Sequence, residues 1–452
     1  MQNRSQPPWF SWFGQFMAVV GILSLVAAIV VGIMTWLRSE ALSSKVSSAD
    51  QNPSSLSRAK FSNAPVKDKN PASKSSNNIN TEFLPVDLKL VNQYILPKQS
   101  FAGIKVGGWS GLSYDPRENL FYVISDDRSD LAPARFYTFK ADFEGANEGA
   151  NQPQLSQIQI KSATALQQPD GTSYPPQTID PEAIALSPKG TVYVSSEGIT
   201  HDLIPPFINE YERGSGKFFS ALPIPKRYLP AIGDDSAKAP VTTANIGVRD
   251  NLGFEAMTVV GDAPSDPYRI FAITENALAQ DYQERSLISK VKNIAQQEPS
   301  PSSFLHYVEN NVVRVPPLLV AEHLYPVEAP PVGGVNGVVE MLALDRAGHF
   351  LTLERSFSPL GFGAKIWQIN TTAATDTSRI ASFKGDISNI RPISKQLVLD
   401  LSTLGIKLDN LEGMTFGPKL ADGSRSLLLV SDDNFSDQQF TQFLLFKLTS
   451  VR

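Results

Sequence analysis

Apolar and polar positions alternate in short runs along most of the chain, and one composite run recurs five times. Glu182-Ala183-Ile184-Ala185-Leu186 is followed, after a turn, by Thr191-Val192-Tyr193-Val194-Ser195-Ser196-Glu197. Glu255–Val259 with Arg269–Glu275, Glu340–Leu344 with Phe350–Glu354, and Glu412–Phe416 with Leu427–Asp433 repeat the arrangement. A weaker first copy is Ser110–Tyr114 with Phe121–Asp127. Each copy is an apolar run, a Gly, Pro or Asp turn, and a second apolar run closed by a carboxylate, which predicts a β-hairpin. The copies begin at residues 110, 182, 255, 340 and 412, at steps of 72, 73, 85 and 72. Further strand-like runs follow the hairpins: Arg135–Lys140 and Gln157–Ile160 after the first, Lys365–Ile369 and Arg379–Phe383 after the fourth. Four short strands per repeat predict an all-β fold, a β-propeller. Five blades are visible, and six result if a degenerate copy lies in the longest step.

The ends of the repeat array complement each other. Val86–Val91 alternates as a strand, while the last repeat stops after a third strand at Gln442–Leu448. Pairing the two closes the ring and removes a bare sheet edge. Ahead of this domain, residues 17–37 carry no charge, and Trp9, Trp12 and Trp36 flank or border the run. About 20 apolar residues span a bilayer, with aromatic residues at its interfaces. A cleaved signal peptide is the alternative, although its apolar region is usually about 7–15 residues. The length favours an uncleaved anchor. Arg4 on one side and Arg38 and Lys45 on the other leave its orientation undecided. The expected division is a tail over 1–16, a transmembrane helix over 17–37, a Ser-, Asn-, Lys- and Pro-rich tether over 38–80, and the propeller over 81–452. Long loops are expected at 199–208, 226–250, 279–302 and 321–336.

Composition narrows the chemistry. The 452 residues are 42% hydrophobic, with 33 prolines and 29 glycines, which suits a turn-rich β protein with a substantial core. A net charge of −5 argues against nucleic acid. The absence of cysteine excludes disulfides, thiol catalysis, Cys-ligated zinc and a lipid-modified N-terminal cysteine. The four histidines show no metal spacing. His349 falls in a hairpin turn and is expected to be exposed, and His201 alone is expected near the carboxylates. There is no nucleophile elbow, and Gly107-Gly108 precedes no helix.

The carboxylates remain. The first residue of a hairpin's first strand and the last of its second lie at one end. Glu182 therefore pairs with Glu197, Glu255 with Glu275, Glu340 with Glu354 and Glu412 with Asp432, joined by Asp126 and Asp127 from the first copy. Equivalent blades place all of them on one face. Two like charges at about 4 Å repel by roughly 4 kcal/mol at an effective dielectric near 20. Protonation, arginine or lysine partners, or bound cations relieve this. Oxygen ligands without cysteine suit Ca²⁺ or Mg²⁺. Arg128, Arg355, Arg135 and Lys365 lie close in sequence and are candidates to steady an anionic transition state. The competing reading is structural: acidic residues at blade corners accept backbone N–H groups and tie the ring together.

Gly108-Trp109-Ser110-Gly111-Leu112, Ile124-Ser125-Asp126-Asp127-Arg128, Phe254-Glu255-Ala256-Met257, Ile273-Thr274-Glu275, Leu353-Glu354-Arg355, Leu411-Glu412-Gly413-Met414 and Val430-Ser431-Asp432-Asp433-Asn434 resemble the phytase-like family, described as having esterase-like activity. The resemblance covers about residues 90–450. It implies a β-propeller distantly similar to secreted propeller phytases that use calcium, and an extracytoplasmic hydrolase of phosphate or other esters, at the cell surface or in the periplasm. The expected substrate is a small-molecule ester or phosphate ester, the cofactor a divalent cation, Ca²⁺, and the state a monomer tethered through residues 17–37. The alternatives are secretion after signal cleavage and, for function, a non-catalytic binding propeller held at a membrane.

Overall fold

The computed structural model describes residues 82–144, 154–231, 244–263, 265–282, 298–310, 315–385, 387–420 and 422–449. The chain enters through β1 (Asp87–Leu96) and a small hairpin, β2 (Ser100–Phe101) and β3 (Ile104–Lys105). Blade 1 is β4 (Trp109–Asp115), β5 (Leu120–Ser125), β6 (Arg135–Glu144) and β7 (Gln154–Ala165). Blade 2 is β8 (Pro181–Leu186), β9 (Thr191–Ser196), β10 (Phe207–Glu212) and β11 (Phe218–Ala221). Blade 3 is β12 (Phe254–Val260), β13 (Tyr268–Thr274), β14 (Ser300–Glu309) and β15 (Leu318–Val327). Blade 4 is β16 (Val335–Ala343), β17 (His349–Ser358), β18 (Gly361–Asn370) and β19 (Ser394–Asp400). Blade 5 is β20 (Asn410–Lys419), β21 (Arg425–Asp432) and β22 (Thr441–Thr449), completed by β1.

Each sheet is antiparallel and follows chain order except where β1 completes blade 5, and the first strands β4, β8, β12, β16 and β20 neighbour one another around the axis. The fold is a five-bladed propeller. Strand β1 pairs with β22 from Asp87↔Thr449 to Leu96↔Thr441, which closes the ring as the alternation at 86–91 predicts. The longest repeat step contains no sixth sheet among the described residues.

The core lies between blades. Trp109 stacks on Phe139 at 5.4 Å and Phe443 meets it edge-on at 6.0 Å, so aromatic rings join blade 1 to blade 5. Between blades 2 and 3, the buried Tyr193 and Tyr268 satisfy each other's hydroxyls at 2.8 Å. Burying one such large side chain contributes about 1.5–3 kcal/mol.

Two expectations need correcting. Arg379–Phe383 is no strand, and β19 at Ser394–Asp400 takes that place. Residues 371–385 and 387–393 instead reach back to blade 3, where Thr377 N–H donates to the Glu322 carbonyl at 2.7 Å and Ile393 N–H to that of Leu324 at 2.9 Å. Phe383, the apolar end of the misread run, is buried under the Arg227 guanidinium. Likewise 321–327 belong to β15, and only 328–334 form a loop there. The apolar segment 17–37 and the tether 38–80 lie outside the described residues. Among the described residues no helix is long and apolar enough to cross a membrane.

Candidate functional site: an acidic cluster on the propeller axis

Every inner strand is irregular at the repeat position, which holds Ser110 in blade 1 and the repeated glutamate in the other four. The register slips between Trp109 and Leu112, Pro181 and Ile184, Phe254 and Ala256, Val338 and Glu340, and Leu411 and Gly413. A bulge bends its strand and re-aims the residue within it. Here it brings Glu182, Glu255 and Glu412 together at the axis. Residues closing the second strands, Glu197 and Glu275, join them. Oxygens of Asp180, Glu182 and Glu197 lie within 4.8 Å of one another, as do those of Glu182, Glu255 and Glu412, and of Glu197, Glu255 and Glu275. All six side chains are buried. Asp432, also buried, accepts from Asn434 N–H at 2.7 Å and from Asn410 Nδ2 at 3.3 Å. Asp126, half-buried at the rim, neighbours Glu412, Asp180 and Arg128.

Blade 4 departs from the pattern. In blades 3 and 5 the extra residue is the glutamate itself, whereas in blade 4 it is Val339, one position earlier. A one-residue shift turns side chains to the other face. Glu354 consequently leaves the cluster. It accepts from Tyr325 Oη at 2.8 Å, Asn336 Nδ2 at 3.0 Å and Glu328 N–H at 3.1 Å, and pairs with Lys395. Arg355 takes its place, with Nη2 3.0 Å from Glu412 and 3.5 Å from Glu275. Glu340 lies on the axis as a tie, accepting from Met341 N–H at 2.9 Å and Leu112 N–H at 3.3 Å.

The other candidates separate. Asp127 caps the loop after β5, accepting N–H groups of Asp130, Leu131 and Ala132 at 2.9–3.1 Å, and Arg135 is buried against it at 2.6 Å. Lys365 pairs with Glu328 at 2.7 Å, away from the axis. Arg128 does reach the cluster, with a two-pronged contact to Asp180 at 2.6 Å and a bond to Asn251 at 2.7 Å. His201 is exposed, 3.4 Å from Asp250. His349 is buried rather than exposed, because Asp345 takes its Nδ1 at 2.7 Å and its Nε2 meets the Glu82 carbonyl at 2.9 Å.

Three participants escaped the sequence reading. Asp180 and Asn410 each stand two residues before the repeated glutamate, and alternate residues of a strand share a face, so that offset was a usable signal. Arg249, whose charge pulls against burial at Glu275 while it stacks 4.0 Å over Tyr282 and donates to Asn276 at 3.1 Å, lies in a loop without periodicity.

Burial dominates the electrostatics. It pushes Asp126 up to about 8, helped by Glu412, Asp180 and Asp127. It raises Glu275 to about 7 against the pull of Arg355, and Asp180 to about 6 against that of Arg128. Glu182, Glu197, Glu255 and Asp432 are held well above the usual carboxylate range by burial first and then by neighbouring carboxylates, which for Asp432 are Asp126, Glu412 and Asp433. Glu412 is raised less, since Arg355, Asn410 and Ser110 oppose burial.

The donor set fits a hard divalent cation. It is all oxygen, and two buried oxygens in it, Glu197 Oε2 and Asn410 Oδ1, have no hydrogen-bond partner. A buried acceptor without a donor is costly, and a cation supplies what is missing. Backbone makes room for the carboxylates: a Cβ on Gly337 would collide with Glu275 Oε1, and one on Gly108, at φ +62°, with Asp126 Oδ1.

The chain is similar to an endo-arabinase from Bacteroides thetaiotaomicron, at 11% identity and TM-score 0.36 over 77% of this chain and 96% of that one. It is similar also to the catalytic domain of a Coprinopsis cinerea GH62 α-L-arabinofuranosidase, at 12% identity and TM-score 0.37 over 80% and 97%. A Bombyx mori GH32 β-fructofuranosidase matches at 10% identity and TM-score 0.34 over 75% and 60%. No curated protein matches the sequence. Over residues 104–435, which include all five inner strands and the whole acidic cluster, the sequence matches the phytase-like family, described as the esterase-like activity of phytase, and the chain belongs to that family.

Proposed function

We propose that this phytase-like propeller is a membrane-anchored, extracytoplasmic hydrolase of phosphate or other esters whose acidic cluster holds a divalent cation, Ca²⁺. The observation carrying this reading is the set of three overlapping carboxylate triads within 4.8 Å, two of which share Glu255. Glu182, Glu255 and Glu412, with Glu197 and Glu275, would hold the cation. When bound, it supplies Lewis-acid polarisation of an ester oxygen and a more acidic bound water. The protein's own groups set the rest. Arg355 neutralises part of the buried charge from below through Glu275 and Glu412. Arg128, 27% exposed, presents a cation at the rim where an anionic ester arrives, while Asp180 fixes its guanidinium plane. Asp126, outside the triads and half-buried, is placed to move a proton to or from the ester oxygen. The uncharged run 17–37 supports the anchor, and protease accessibility of the domain on intact cells tests its orientation. Protection of the domain there would contradict it.

One observation favours a second reading, a non-catalytic binding propeller. Arg355 already stands among the carboxylates as a resident cation. The purified protein assayed against phosphomonoesters and carboxyl esters, with Ca²⁺ and with chelator, separates the two. The hydrolase reading expects turnover that chelator abolishes. Calcium binding without turnover on either class supports the binding reading instead.

A further inference from the structure

The end of the propeller opposite the acidic cluster carries a cavity of about 280 Å³ at the seam of blades 3 and 4. Its floor is aromatic. Phe271 and Phe350 are buried and meet edge-on at 4.8 Å, and the His306 ring stacks on Phe271 at 4.5 Å. Its walls include Arg269 from β13, together with Arg346 and Ala347 from the β16–β17 turn. The other charges at the mouth are engaged. Arg346 pairs with Asp262, and both oxygens of Asp345 are taken by His349 and by the N–H groups of Ala347 and His349. Arg269 is different: among the described residues it has no carboxylate partner, and its one polar contact is to the Arg346 carbonyl at 3.5 Å. His306 Nε2 is buried and has no hydrogen-bond partner. Burial, with the charge of Arg269, lowers the His306 imidazole to about 4, so it is neutral at physiological pH.

An apolar floor, one uncommitted guanidinium and one unsatisfied ring nitrogen are complementary to a particular kind of molecule. We propose that this cavity binds a small ring-bearing carboxylate, with its ring on Phe271 and Phe350, its carboxylate on Arg269 and a polar substituent at His306 Nε2. The size is just below the usual range for small-molecule sites, roughly 300–1,000 Å³, so the ligand is a single ring rather than a nucleotide. Arginine matches a carboxylate in two-pronged fashion, which sets the anionic end. The site is independent of the acidic cluster, which lies at the other end of the same strands.

Ligand-observed NMR on the full-length protein tests this, with benzoate and 4-hydroxybenzoate as probes and benzamide as the uncharged control. Saturable benzoate binding of roughly millimolar strength is expected for so small a fragment. 4-Hydroxybenzoate should bind more tightly and benzamide at least tenfold more weakly. Arg269→Gln, at an exposed position, should weaken benzoate at least tenfold while leaving the thermal response to Ca²⁺ unchanged. Ala347→Trp, also on an exposed residue, should fill the mouth and abolish binding. The absence of saturable benzoate binding would overturn the proposal. So would binding that survives both substitutions, since it would then lie elsewhere, for example at Arg128.

Discussion

Glu275 and Glu354 close the second strand of successive blades with nearly the same sequence before them, yet they do different work. Glu275 faces the axis beside Arg355, whereas Glu354 is held by Tyr325, Asn336, Glu328 N–H and Lys395 between blades. Removing one partner of a buried ion pair costs about 3–5 kcal/mol, because the other is left uncompensated. Glu354→Ala should therefore lower unfolding stability in denaturant by that amount and leave the calcium response intact. Glu275→Gln keeps shape and loses charge, and Arg355 retains its closer partner Glu412, so the variant should remove part of the calcium response at a smaller cost in stability than Glu354→Ala. Equal calcium responses in the two variants would contradict the assignment. Sequence reading found both residues and could not tell them apart. What separates them is the place of a bulge, and a one-residue displacement leaves no trace in the apolar pattern. Asp180 and Asn410 were legible by their offset from the repeated glutamate, while Arg249 had no periodic neighbour to mark it.

At the scale of elements, alternation was a good guide wherever one sheet face packs on the next blade. The two strands of each hairpin are apolar runs buried on both faces, and the closing strand follows the alternation because a slip of register would expose its apolar face. It failed at Arg379–Phe383, where the apolar residues cover a neighbour's arginine instead of joining a ladder, and at β19, whose exposed rim position removes the need for alternation. Closure by β1 gives a direct prediction. A protein lacking residues 82–96 leaves β22 with an open edge beside apolar Leu444 and Phe446, and it should aggregate rather than merely lose stability. Size-exclusion chromatography at several concentrations checks this, and a soluble monomer would contradict it. Gly337 is the second test at this scale. A Cβ there enters the space of Glu275 Oε1, so Gly337→Ala should weaken calcium binding from outside the charge cluster, as calorimetric titration would record.

For the molecule as a whole, the buried acidic axis ties stability to pH, and the proposed cation would act in the opposite direction. Carboxyls raised in the native state favour folding at low pH, and that contribution is lost as pH rises through their native values, about 7 for Glu275 and about 8 for Asp126. In chelator, the melting temperature should fall between about pH 5 and 8. Saturating Ca²⁺ should reduce or reverse that fall, because the ligands it needs are the ionised ones. A pH-independent melting temperature in chelator would contradict this.

The most direct test of the cation reading is calorimetric titration of Ca²⁺ into chelator-stripped protein, wild type against Glu255→Gln, with ester hydrolysis followed in the same samples. Glu255 belongs to two of the three triads, as do Glu182 and Glu197, and it links the two that lie nearest Arg355 through Glu412 and Glu275. The reading predicts saturable binding by the wild type and a thermal stabilisation of about 2.7 kcal/mol at a hundredfold excess over the dissociation constant. Both that binding and the hydrolysis should be lost in Glu255→Gln while the fold is kept. Undetectable calcium binding to the wild type, or calcium binding and hydrolysis unchanged in Glu255→Gln, would contradict it and leave these carboxylates as ties between blades.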